Sequence, residues 1–200
     1  MSTKYEIVKL SDIASIQAGR SLRGKINEVK DTGVALVQMR NMIDSGVDWQ
    51  NCMSIELGGK AAPNWVGEGD ILLLARGLDT QVALIDESIN DIDSKVVTAP
   101  YVFIIRADEE KVTAEYLAWW LNREITQEYF RANVTGKKSF GLSRSAIENT
   151  SVVLPPLHEQ EHIGQNIKKL ARDTAEYKRL IKANKDLSEA YALDMIRSHT

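Results

Sequence analysis

The chain has 200 residues, of which 44% are hydrophobic and 26% charged, a composition typical of a protein that folds around an apolar core. Its longest apolar run, residues 71–75, is far shorter than the ~20 residues that cross a bilayer. Residues 1–6 lack the apolar core of a signal peptide, so we expect a cytoplasmic protein without a membrane partner. A single cysteine, Cys52, excludes an internal disulfide framework. The net charge of -3 excludes nucleic-acid binding through bulk charge, so any DNA contact must come from local basic patches.

The first part of the chain has the composition of a mixed α+β domain. Residues 1–156 contain all four prolines and 11 of the 12 glycines, with short apolar runs between turns. The runs rich in β-branched and aliphatic residues predict strands. These lie at residues 33–40, at residues 70–75 and 81–85 as a hairpin, and at residues 96–97 and 101–106 as a further strand.

Two helices are predicted before the proline pair at residues 155–156. Thr113 is a favourable N-cap for a helix that runs to about residue 132. Its predicted buried stripe consists of Leu117, Trp120, Leu121 and Ile125. A second, short helix is predicted from Ser143 to about Asn149.

The last 44 residues are predicted to form one long helix. They contain one glycine and no proline after Pro156, and eight basic against seven acidic residues. Apolar and small polar side chains recur there at alternating steps of four and three, which is a heptad seam. The seam residues on which a partner helix would pack are Ile163, Ile167, Leu170, Tyr177, Ile181 and Tyr191. A rod of about 40 residues, ~60 Å long, cannot bury this stripe against itself and therefore needs a partner. The alternative is two shorter helices folded back on the domain, with a break near residues 184–186.

No reaction centre emerges from the sequence. The Gly-x-Gly at residues 67–69 precedes a predicted strand, whereas a nucleotide-binding loop follows a strand and opens a helix. His158 and His162 have the spacing of two zinc ligands on one helix face, but no further ligand is suggested by its context. We expect no metal, no cofactor and no catalytic residue in this chain.

Polar residues suited to DNA contacts are concentrated in four predicted loops. Guanidinium and amide side chains can form bidentate hydrogen bonds to base edges, and lysines pair with phosphates. Four such patches on an otherwise acidic domain predict a localised DNA-binding surface. The candidate residues are Arg20, Arg23, Lys25, Gln38, Arg40, Asn41, Arg76, Lys137, Lys138 and Ser139.

Residues 154–163 resemble a signature of the specificity subunits of type I restriction-modification systems. The segment Leu-Pro-Pro-Leu-His-Glu-Gln-Glu-His-Ile is similar to the proline-proline-leucine-x-glutamate-glutamine motif that leads into the family's spacer helix. Residues 8–19, 66–74 and 115–122 are similar to other parts of the family's pattern. Together these matches extend through nearly the whole chain.

The resemblance implies a non-catalytic protein with a target-recognition domain at residues 1–155 and a spacer helix at residues 156–200. The domain would read one half of an interrupted sequence in double-stranded DNA. The helix would separate two such domains and dock modification subunits, which hold S-adenosylmethionine and methylate adenine. A motor-nuclease (restriction) subunit can join such complexes.

The chain departs from the family in size, because a full member has two recognition domains and two spacer helices. It resembles a half-subunit, and the single heptad stripe predicts a homodimer that pairs as a coiled coil and restores the full architecture. Two alternatives remain open at this point. One is a non-catalytic regulator or decoy of a restriction-modification complex, and the other is a small nuclease or methyltransferase in its own right.

Overall fold

The structure is a computed structural model of an α+β protein that ends in a long helix, which confirms the predicted fold class. It describes residues 5–21, 33–43, 46–57, 62–77, 80–136 and 140–197. The strands are β1 (Glu6–Lys9), β2 (Ala14–Gln17), β3 (Val34–Val37), β4 (Met42–Ile43), β5 (Gly46–Val47), β6 (Met53–Ser54), β7 (Ile71–Leu74), β8 (Gln81–Leu84), β9 (Lys95–Thr98), β10 (Val102–Ala107) and β11 (Ser151–Leu154). The helices are α1 (Leu10–Ile13), α2 (Ala114–Leu121), α3 (Glu124–Asn133), α4 (Arg144–Glu148) and α5 (Leu157–Arg197).

Two small sheets form the centre of the first compact unit, Met1–Glu161. The four-stranded sheet has the order β2-β10-β7-β8 and is antiparallel throughout. The three-stranded sheet has the order β6-β3-β9, and its β3 and β9 run parallel. A core of buried aliphatic side chains includes residues from both sheets. Every residue of β7 and of the first half of β10 is buried, so these strands are apolar on both faces. Burial on both faces explains the continuous apolar runs in these strands.

The predicted strands are present, with two changes in extent. The hairpin is confirmed, since β7 and β8 pair antiparallel from Ile71 opposite Leu84 to Leu74 opposite Gln81. The segment predicted as residues 96–97 and 101–106 forms two strands in different sheets, β9 and β10. The strand predicted at residues 33–40 ends at Val37, because the next residues form a 3₁₀ turn at Met39–Asn41.

The helix predicted from Thr113 to about residue 132 is two helices, and the predicted burial of Ile125 is wrong. Thr113 caps α2 by accepting a hydrogen bond from the Tyr116 N–H at 3.3 Å. The helix ends at Asn122, whose side-chain amide donates to the Ala118 and Val82 carbonyls. The next helix, α3, begins at Glu124 and does not continue the buried stripe of α2. Ile125 is therefore 66% exposed, whereas Phe130 is buried. The short helix at Ser143 is confirmed, and the Ser143 hydroxyl accepts from the Ala146 N–H.

A buried glutamine fixes the first turn of α5 to the domain. Gln160 is completely buried, and its side chain makes three hydrogen bonds. Its Oε1 accepts from the Thr113 N–H at 2.9 Å, and its Nε2 donates to the carbonyls of Lys111 at 3.1 Å and Pro155 at 2.7 Å. One side chain thus joins the cap of α2, the proline turn and the start of α5.

In the second compact unit, His162–Thr200, the described residues are the remainder of α5, which ends at Arg197. The helix is continuous through residues 184–186, so the alternative with a break at that point is wrong. Among the described residues, no helix is both long and apolar enough to span a membrane.

We predict that Gln160→Leu lowers the free energy of unfolding by about 2–5 kcal/mol. The substitution keeps the side-chain size but removes the partner of one buried and two part-buried backbone groups. A fully buried unpaired group costs about 1–3 kcal/mol, and a part-buried group, which water can reach, costs less. Urea denaturation measures the change. Gln165→Leu on the same helix is the matched control, because Gln165 is exposed. Equal unfolding free energies for the two variants would contradict the anchoring role of Gln160.

Candidate nucleic-acid interface

A tight turn between β9 and β10, residues 98–101, lies at the centre of the candidate interface. The Val102 N–H donates to the Ala99 carbonyl at 2.9 Å and closes the turn. The Thr98 hydroxyl donates to the Val102 carbonyl at 2.8 Å and reinforces it. We call this segment the 98–101 turn.

The loops that follow β2 and β3 begin at the 98–101 turn. The Arg20 N–H donates to the Thr98 carbonyl at 2.8 Å, and the Ala99 N–H donates to the Val37 carbonyl at 2.9 Å. Gly19 permits the first approach, since a Cβ there would lie 2.0 Å from the Ala99 oxygen. Arg20 and Gln38 therefore come from different sheets but lie beside the same turn.

The segment that follows β7 reaches the 98–101 turn from another side. The Ala75 N–H donates to the Tyr101 carbonyl at 2.8 Å. The segment around Gly141 then packs against it, because the Leu142 N–H donates to the Ala75 carbonyl and the Gly77 N–H donates to the Phe140 carbonyl. A Cβ on Gly141 would lie 2.6 Å from the Ala75 oxygen, so this approach also requires glycine.

The structure therefore brings the ends of all four predicted loops to one place. Arg76 is exposed at this place, and Arg20 and Gln38 are partly exposed; Arg40, three residues after Val37, is also exposed. Five further candidates, Arg23, Lys25, Lys137, Lys138 and Ser139, lie outside the described residues. Their described neighbours in sequence include Ser21, Gly136 and Phe140.

Asn41 is a correction to the predicted set of base-reading residues. It is completely buried, and its side chain is used within the loop. Its Oδ1 accepts from the Gln38 N–H at 2.9 Å, and its Nδ2 donates to the Asn51 carbonyl at 2.9 Å. The Asn41 amide therefore stabilises the 3₁₀ turn that contains Arg40. Because it is buried, the amide itself cannot reach a base edge.

Arg76 lines an open groove of about 340 Å³ beside the 98–101 turn. Its Cζ lies 5.2 Å from the centroid of the Tyr101 ring, a cation–π distance. Phe140, which is 45% exposed, lines the same groove. Tyr101 was missed by sequence reasoning because it sits at the start of an apolar strand; its position directly after Pro100 is the only local sign of a turn.

Arg106 shows how an arginine with a structural role differs from Arg76. Its guanidinium bonds both carboxylate oxygens of Asp70, at 2.7 and 3.0 Å, and the Trp65 carbonyl at 2.6 Å. The hydrogen bonds that the guanidinium donates to Asp70 raise the pKa of Arg106 above its ordinary value. The same carboxylate accepts from the Gly67 N–H at 3.0 Å, so the Gly-x-Gly segment is a turn before β7, as predicted.

The groups with potential reactivity are not assembled into a centre in the part of the chain that the structure describes. Burial raises the pKa of the Cys52 thiol to about 11, so this thiol is protonated at neutral pH. His158 and His162 are both exposed on α5. Within the described ranges, no three His, Cys, Asp or Glu side chains are placed to hold a metal ion.

The predicted partner residues of α5 form an apolar stripe in the second unit. Leu170, Tyr177, Ile181 and Tyr191 are each about two thirds exposed. Ile163 and Ile167 are partly buried.

Solved structures with similar folds are specificity subunits. The chain aligns with the HsdS subunit from Thermoanaerobacter tengcongensis at 17% identity and a TM-score of 0.59, covering 90% of this chain and 40% of that one. A structure from a study of complex assembly and conformational transition of the type I R-M system aligns at 18% identity and 0.59, covering 90% and 41%. The type I restriction-modification S subunit from M. genitalium aligns at 12% identity and 0.57, covering 96% and 46%. At these identities the likeness establishes the fold, and the chain spans less than half the length of each relative.

No curated protein sequence matches this chain. A family model, in contrast, matches most of its sequence. The model of the type I restriction modification DNA specificity domain matches residues 2–185, which include β1 to β11 and most of α5. The chain therefore belongs to the type I restriction-modification DNA specificity domain family.

Proposed function

We propose that this chain is the sequence-reading subunit of a type I restriction-modification system. It reads one half of a bipartite target in double-stranded DNA and works as a homodimer in the cytoplasm. It carries no catalytic centre of its own. Adenine methyltransferase subunits dock on it and supply S-adenosylmethionine and the chemistry, and a restriction subunit joins when cleavage is required.

The observation that carries this proposal is the convergence of the polar loops at the 98–101 turn. Arg20, Gln38, Arg40 and Arg76 belong to three separate segments, yet backbone hydrogen bonds bring those segments to a single turn. A protein with a net charge of -3 can bind DNA only where its cations are locally concentrated. The loops also contain side chains of the types that bond guanine and adenine edges in the major groove.

The exposed stripe on α5 supports pairing of two copies. A helix of 41 residues, about 61 Å long at ~1.5 Å per residue, presents Leu170, Tyr177, Ile181 and Tyr191 to solvent in a heptad pattern. Exposed apolar seams of this length are stabilised by a partner helix, and a second copy supplies an identical seam. Closed twofold symmetry then predicts a palindromic target with a spacer between its halves.

We predict that Lys137→Ala combined with Lys138→Ala weakens DNA binding and flattens its salt dependence. Each lysine that contacts a phosphate contributes about 0.9 to the slope of log K against log salt, so the slope should fall by up to about 1.8. Binding of the target duplex at several salt concentrations measures this change.

The control for this charge test is Lys182→Ala combined with Lys185→Ala, which removes the same charge from exposed positions of α5. The control should leave the slope unchanged. An unchanged slope in the Lys137/Lys138 variant would remove that loop from the interface. A chain that binds modification subunits but no specific DNA would favour a decoy over a reader.

We predict that Ile167→Asp combined with Ile181→Asp converts the dimer into a monomer, because two carboxylates cannot be buried in a helical seam without a large cost. Multi-angle light scattering reports the solution mass. Ala175→Asp combined with Ala183→Asp adds the same charge off the seam and should leave the dimer intact. A double isoleucine variant that keeps the dimer mass would disprove the seam assignment.

A further inference from the structure

We infer that Arg76 reads a guanine in the target half-site and that Tyr101 is its positioning residue. The inference rests on the proposed DNA-reading function and extends it to one base and one side chain. It identifies the groove lined by Arg76, Tyr101 and Phe140 as the guanine-binding site.

The backbone of Arg76 is fixed on both sides. It forms an isolated β-bridge with Gly141, and the neighbouring Gly77 N–H donates to the Phe140 carbonyl at 3.0 Å. On its other side, Ala75 is bonded to the Tyr101 carbonyl at 2.8 Å and to the Leu142 N–H at 2.9 Å. The Cα of Arg76 is therefore set by the sheet even though the residue lies in a loop.

The tip of the side chain is also restrained. Its Cζ lies 5.2 Å from the centroid of the Tyr101 ring. A contact through the π face of a ring uses none of the in-plane N–H donors of a guanidinium. The restraint reduces the conformational entropy that an arginine loses on binding and leaves a pair of donors for a ligand.

The chemistry of the groove favours a base edge with two acceptors. Among the residues that the structure describes, none of those that line the groove is acidic: they are Ala75, Arg76, Tyr101, Thr135, Phe140, Gly141, Leu142 and Ser143. Guanine presents O6 and N7 as adjacent acceptors in the major groove, and the arginine fork matches them in a bidentate pair. The half-exposed Phe140 ring provides an apolar wall next to this pair. An apolar wall suits the flat ring of a base, whereas a phosphate group has no apolar surface to pack against it.

Selection of bound duplexes from a random pool tests the inference. The full chain is used alone and together with its modification subunits. For wild-type protein we expect an enriched motif with a guanine whose replacement weakens binding by about 5- to 150-fold. Arg76→Gln should remove guanine discrimination at that one position and leave the other positions of the motif unchanged.

Tyr101 is tested through the ring that it provides. Tyr101→Leu should weaken the same guanine preference, and Tyr101→Phe should retain it because the ring remains. The matched control is Arg123→Gln. It removes another arginine that lies over an aromatic ring, with its Cζ 5.1 Å from the centroid of the Trp119 ring. It should leave the motif and the affinity unchanged. Urea denaturation of each variant checks that the fold is retained.

The outcomes separate this inference from the proposed function. If wild-type protein enriches a motif and Arg76→Gln weakens binding equally to all sequences, Arg76 contacts a phosphate and the guanine assignment is overturned. An unchanged motif and affinity in Arg76→Gln would overturn it as well. If wild-type protein enriches no motif under either condition, the proposed function itself fails.

Discussion

The backbone hydrogen bonds made by the 98–101 turn are the constraint on which the candidate interface depends. Strand ends from two sheets meet at this turn: β3 and β9 end side by side, and β2 and β7 flank β10. Gly19 and Gly141 allow the backbone to approach more closely than a Cβ would permit. Because the ends of the loops are fixed in this way by backbone groups, the positions of the loops do not depend on which side chains they carry. Such an arrangement suits a domain that must read different sequences with one fold.

A second set of hydrogen bonds fixes the first turn of α5. Gln160 is a buried amide whose three partners belong to the cap of α2, to the proline turn and to the segment before that cap. Tyr5 adds a hydrogen bond from its hydroxyl to Glu159 at 2.6 Å, which links the chain's beginning to the same helical turn. The segment at residues 154–163, which resembles a family signature, thus has a structural explanation, because an apolar residue in place of its glutamine would leave one buried and two part-buried backbone groups without their partner.

Local signals in the sequence predicted a large part of this fold. The β7–β8 hairpin, the cap at Thr113, the short helix at Ser143 and the continuous α5 depend on neighbours within a few residues, and each is confirmed. The parallel pairing of β3 with β9 depends on residues about 60 positions apart, and no local pattern reports it. The break after α2 was missed because Asn122 ends the helix partly through the Val82 carbonyl, a tertiary contact.

The sequence suggested the polar residues of the candidate site but not their arrangement. Arginines and glutamines in loops marked four segments, and the described ends of these segments lie at the 98–101 turn or against Ala75 beside it. The same pattern could not distinguish the exposed Arg40 from the buried Asn41, its neighbour in sequence, because only the folded loop shows which side chain bonds the backbone. Tyr101 carried no polar signal, and the role proposed for it rests on its distance to Arg76, which only the folded structure shows.

The most direct test of a dimeric DNA reader is a map of adenine methylation in host DNA with and without the gene for this chain. Two identical recognition domains joined by paired helices predict the loss of one palindromic, interrupted motif when the gene is removed. Loss of an asymmetric motif would contradict the homodimer and show that the chain pairs with a different half. An unchanged methylation pattern would contradict the reading function altogether.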